Sequence, residues 1–170
     1  MLQRTYAIAT WPLFFALLGT CLLFVFVIFP LFGEDYPTHS FDRRSGQFAP
    51  SHAPEILKAF DDADQLDRYR LQELGPDVLF PIAYGLGLAV WIALLIPATS
   101  RARYLVLVPY LTAAADYLEN FAVVSMIDRF DKADYTTYAE LCRAAGWVKG
   151  AGLMLSIAIV IGAAVFRRVR

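Results

Sequence analysis

Asp116, Glu119 and Asn120 stand at i, i+3 and i+4, so they share one face of a helix. The stretch that holds them, Tyr104–Ile127, is otherwise apolar enough to cross a membrane. An ionisable group at that depth costs roughly 2.5–3.5 kcal/mol on insertion scales. Two acids on one span therefore mark a site. A neutral acid poised beside an ionised one is what general acid–base catalysis uses, and what proton-coupled carriers use. An acid in excess of the available cation is otherwise exposed to water or matched by a ligand cation. Their plainest role is to hold helices together, at about 0.6 kcal/mol per hydrogen bond.

Lys149, early in the last apolar stretch, is the natural partner for Glu119 or Asp116. At 1.5 Å per residue, Glu119 and Asn120 lie roughly 11–12 Å below the outer end of their helix and Asp116 roughly 16 Å. Tyr84 lies roughly 10 Å down the second span, and Lys149 starts roughly 8 Å down the last. Asp77, Pro81, Tyr84 and Gly85 recur at i, i+4, i+7 and i+8, again one face. These groups converge in the outer half of the bilayer. Asp116 and Glu119 are the candidate acid and base. Asp77, Tyr84, Asn120 and Lys149 are the candidate ligand-binding residues. No metal and no cofactor is called for.

The elements that must position them follow from composition. The chain has 170 residues, 58% hydrophobic and 18% charged, with mean hydropathy +0.50. That is too apolar for a soluble domain of this size. Four stretches reach the roughly 20 apolar residues a span needs. They are Trp11–Phe32, Val78–Ala98, Tyr104–Ile127 and Ala144–Phe166. Backbone groups in lipid must be satisfied within the segment, which makes these helices. The expectation is an all-α protein, a single domain over 1–170 built as an integral membrane antiparallel four-helix bundle. Trp11–Phe32 is too long for a signal-peptide core and lacks a small-residue cleavage pattern, so it reads as a retained span.

Charge sets the orientation. Arg4, Arg101, Arg103, Arg167, Arg168 and Arg170 fall on one side with no acid among them. The positive-inside rule puts both termini and the 99–103 turn in the cytoplasm, with loops 33–77 and 128–143 outside. A bacterial inner or plasma membrane is the expected location. Trp11, Trp91, Trp147 and Tyr104 lie toward span ends, as interfacial aromatics do. Cys21 and Cys142 differ in predicted depth, so no bridge is expected. In the outer loop, Ser51-His52-Ala53-Pro54-Glu55 has the form of a helix start. Ile56, Leu57 and Phe60, then Leu66, Tyr69, Leu71 and Leu74, predict two short amphipathic helices broken near Asp61–Asp64, and Gly75-Pro76 turns into the second span. They form a lid over the bundle mouth. Gly85, Ala89 and Ala93, and Gly146 with Gly150, predict close helix packing within the chain.

The order of these features resembles a group of bacterial four-span membrane proteins without an established activity. Asp77-Val78-Leu79-Phe80-Pro81 with Tyr84-Gly85, Pro109, Asp116-Tyr117-Leu118-Glu119-Asn120 and Lys149 carry the resemblance over most of 11–166. It implies architecture only. Span number also suggests the lipoprotein signal peptidases, but their Asn-x-x-Asp-Arg and Asn-x-Ala-Asp stretches are absent. No G-x-S-x-G, P-loop or C-x-x-C pattern is present. His39 and His52 would need acids such as Asp35 or Asp42 to hold a metal, and they read as surface histidines. The Arg167-Arg168-Val169-Arg170 tail suits lipid headgroups and is too short for nucleic acid. The expected partners are membrane lipids and a small amphiphile, or a membrane protein, bound in the outer polar pocket. The alternative is an intramembrane acid–base enzyme, a hydrolase or isomerase, acting on a lipid-like substrate.

Overall fold

The computed structural model describes residues 1–33, 35–132 and 135–169, and these are all-helical with no strand among them. A short helix, α1 (Leu2–Ile8), precedes the first long one. Thr10 starts α2 (Trp11–Leu23) by accepting the Leu13 N–H on its hydroxyl, with Pro12 in the first turn, where no intrahelical N–H bond is lost. A wide π turn at Phe24–Ile28 then leads into α3 (Phe29–Gly33). Pro30 is the second residue of α3, and its missing N–H is a usual cause of such irregular turns.

The 35–74 segment folds as α4 (Phe41–Arg44), a 3-10 turn at Pro50–His52, α5 (Ala53–Asp62) and α6 (Leu66–Leu74). The break between α5 and α6 falls where the sequence predicts it, with Asp64 in the left-handed region at φ 55°. Ile56, Leu57, Phe60 and Tyr69 are buried as expected. Leu71 and Leu74 are not: they are 61% and 50% exposed, and α6 buries Tyr69, Gln72 and Glu73 instead. Gln72 faces inward because it belongs to the site described below.

The chain continues through α7 (Pro76–Leu95), a 3-10 turn at Arg101–Val106, α8 (Leu107–Ile127), a turn at Phe130–Lys132 and α9 (Thr136–Val169). Helix α9 has 34 residues, about 51 Å at 1.5 Å each. It begins eight residues before the expected Ala144, so the 128–143 connection is shorter than the sequence suggests. The reason is packing. Ala139 and Cys142, in the early turns of α9, are fully buried against the outer helices. Phe41, Leu57, Phe60 and Tyr69 meet Val123 and Met126 of α8 in that same cluster. Phe60 stacks on Tyr69 with ring centroids 4.7 Å apart. The lid is thus packed down on the ends of α8 and α9.

Three helical stretches, Trp11–Gly33, Leu66–Leu95 and Thr136–Arg167, are long and apolar enough to cross a membrane among the described residues. Such helices mark a membrane protein. Helix α8 is long enough at 21 residues, but its polar residues lower its hydropathy. Its far face is nevertheless apolar and open: Leu111 is 68% exposed and Phe121 57%, while Glu119 is fully buried. Helix α7 lies in the middle, against α2 through Phe14–Trp91 rings 4.9 Å apart and against α8. Toward the other end, Ala89, Ile92, Val106 and Val160 form a second core, on which α1 rests through Leu2 and Tyr6. Arg170 and the side chain of Arg168, expected as anchors, lie outside the described residues.

Candidate functional site

The predicted residues come together between α7, α8 and α9. Lys149 Nζ donates to Asp116 Oδ1 at 2.9 Å and also pairs with Glu119 Oε2. Tyr84 OH donates to Asp116 Oδ2 at 2.8 Å. Side-chain exposure is 11% for Lys149, 7% for Asp116 and nil for Glu119. One cation therefore bridges both acids out of water. Such a cluster persists only when each charge keeps its partner, because an orphaned buried charge costs several kcal/mol.

Asn120 has a different task. Pro81, inside α7, has no N–H to give the carbonyl four residues earlier, which is that of Asp77. Asn120 Nδ2 donates to that carbonyl at 2.7 Å. A proline in a membrane helix is tolerated where a neighbour satisfies the freed group, and α8 supplies that neighbour. Tyr117 OH donates to the next carbonyl, Val78 O, at 2.7 Å. The α7–α8 register is set by these bonds and by Gly85, where an added Cβ would stand 3.0 Å from the Ala113 methyl.

A cavity of about 230 Å³ opens beside the cluster. Asp77, Tyr84, Asp116 and Lys149 line one side, and Phe29, Phe80 and Leu153 supply apolar wall. The outer segment contributes Tyr36, Ser40, Arg43 and Gln72. Two of these continue the hydrogen bonding: Tyr36 OH donates to Gln72 Oε1 at 3.1 Å, and Gln72 Nε2 donates to Asp77 Oδ2 at 2.9 Å. Four of the six predicted site residues thus reach the cavity wall. Glu119 serves Lys149, and Asn120 serves the α7 backbone.

Sequence reasoning missed Arg43, Tyr36 and Gln72, and also Glu73, which is fully buried. For α6 the signal was present. Tyr69, Gln72 and Glu73 repeat the i, i+3, i+4 spacing of Asp116, Glu119 and Asn120. Arg43 lies in a short helix with no periodicity to read.

The lid is seated by a glycine pair. Gly46, at φ +76°, rests its backbone on α9: a Cβ there would be 2.5 Å from Arg143 O. A Cβ on Gly146 would be 2.5 Å from Gly46 N and 2.6 Å from Glu119 Oε1. Gly146 therefore packs within the chain as expected, whereas Gly150 faces open space. Among the described residues no group of three or more His, Cys, Asp or Glu is placed to hold a metal ion, and neither cysteine forms a disulfide.

No family model matches the chain, and no curated protein and no solved structure matches it.

Proposed function

We propose that this chain is a four-span membrane protein, an antiparallel four-helix bundle, whose outer-half cavity binds an amphiphilic, lipid-like ligand. Both termini then lie in the cytoplasm of a bacterial cell and α8 is the fourth span. The open apolar face of α8 at Leu111 and Phe121 supports that reading, because such a face suits lipid. One observation carries the ligand reading. The cavity lining divides into charged and hydrogen-bonding groups, Asp77, Lys149 and Arg43 among them, and aromatic and aliphatic ones, Phe29, Phe80 and Leu153. That division matches a molecule with a polar head and an apolar tail. A few convergent polar groups in a largely apolar hollow are the usual form of a small-molecule site.

The same residues would serve an intramembrane hydrolase or isomerase, with Asp116 or Glu119 as acid or base. Both oxygens of Asp116 already accept from Lys149 and Tyr84, so binding is the preferred reading. The test is native mass spectrometry of the purified protein, wild type against Asp116→Asn and Leu153→Trp. Asn keeps size but not charge, and Trp fills the apolar side. The expected result is a lipid-like species retained by wild type and lost from both variants, with melting temperatures little changed. Equal retention by all three proteins refutes the proposal.

A further inference from the structure

A second and larger hollow, about 590 Å³, lies at the opposite end of the molecule, between the last turns of α7 and of α9. Its volume falls within the roughly 300–1,000 Å³ of ordinary ligand sites. Leu94, Ile159, Ala163 and Phe166 make it apolar, and Ser100 and Arg167 stand among the residues that line it. The gap exists because Gly162 puts no side chain into it: a Cβ there would meet nothing within 4 Å. Arg167 reaches across from α9 to α7, donating to Leu94 O at 3.2 Å.

The charge around this hollow is of one sign. Arg101 and Arg103 stand in the connecting turn beside it, Arg4 lies on α1 and Arg167 is on its wall. Residues 1–10, 96–106 and 156–170 contain no acid. These arginines have no carboxylate of the same end to pair with, while an apolar slot opens among them. A neutral occupant would leave that charge unmatched. We infer that this hollow is a binding site for an anionic phospholipid of the cytoplasmic leaflet, one acyl chain lying along Ile159, Ala163 and Phe166 and the phosphate meeting Arg101, Arg103 and Arg167. Basic hollows between helices on the cytoplasmic side are where anionic headgroups settle. The inference rests on the membrane reading and its orientation, and it is independent of the outer cavity.

The test uses delipidated full-length protein and two probes, dioleoyl phosphatidylglycerol and dioleoyl phosphatidylcholine. Native mass spectrometry counts bound lipid, and a thermal melt reads stabilisation. Phosphatidylglycerol is expected to bind at low occupancy number and raise the melting temperature more than phosphatidylcholine does. Arg101→Gln and Arg167→Gln should each weaken phosphatidylglycerol binding about fivefold, the effect of one basic residue near an anionic lipid. Gly162→Leu should fill the slot and abolish the preference. Gly19→Leu, at another position where a Cβ meets nothing within 4 Å, should retain it. Equal response to the two lipids overturns the inference, as does an unchanged preference in Gly162→Leu. A variant that does not fold is recognised by circular dichroism, and the arginine variants then decide. Loss of the amphiphile from the outer cavity, by contrast, leaves this preference untouched.

Discussion

Two residues show how much of this site is chemistry and how much is carpentry. Lys149 bridges Asp116 and Glu119, so removing the lysine strands charge out of water. Lys149→Met, which strands both acids, should destabilise the protein by about 3–5 kcal/mol, and Glu119→Gln, which leaves Lys149 on Asp116, should cost less. The double variant should recover part of that loss, because one stranded acid, Asp116, then remains instead of two. Strictly additive losses in a detergent melt would mean the two groups do not meet. Asn120 stands for the carpentry. Its amide exists for a carbonyl that Pro81 leaves without a donor. Asn120→Leu should cost about 1–3 kcal/mol, the usual penalty for an unsatisfied buried polar group. In a Pro81→Ala background, where the helix supplies its own N–H, the same change should cost clearly less. Equal costs in both backgrounds would show that the carbonyl has another donor.

At the scale of the element, the polar triad of α8 was legible because its spacing and its apolar setting conflict. Any helix that carries Asp116, Glu119 and Asn120 at i, i+3 and i+4 must turn one face toward partners, and Lys149 was the available cation. Helix α6 was misread for the opposite reason. Leu71 and Leu74 looked like its buried face, yet tertiary context turned Gln72 to the site, buried Glu73 and left those leucines exposed. Hydrophobicity alone does not rank faces when a polar interior is waiting. The start of α9 was missed because loop-like composition around 128–143 hides contacts made by residues far away in sequence, Phe60 and Tyr69 among them. The lid's seat on α9 is itself testable. Gly146→Ala should lower stability by about 1–3 kcal/mol, since the methyl would press on Gly46 and the Glu119 carboxylate. Gly150→Ala, one turn on and facing open space, should be neutral or slightly stabilising by helix propensity. A thermal melt that ranks the two alike would contradict the packing.

For the whole molecule the governing asymmetry is charge. One end holds arginines without acids, and the other holds the lid with mixed charges such as the Arg70–Asp128 pair at 2.8 Å. Single cysteines placed in 33–77 and 128–143 should react with impermeant thiol reagents from outside the cell, and a cysteine at position 101 should not. Outer labelling at 101 would invert the arrangement, and with it the leaflet assigned to each cavity.

Asp116 of α8 and Lys149 of α9 are 33 residues apart in sequence, and that interval is also an interval of time. At about 5–20 residues per second, Lys149 leaves the ribosome roughly 2–7 seconds after Asp116. Through those seconds α8 carries two carboxyl groups with no cation on offer. On the four-span reading proposed above, it must wait where water can reach it, or enter lipid with its acids protonated. On that reading α9 determines whether α8 can settle in the bilayer, and Lys149 completes the insertion of a segment translated before it.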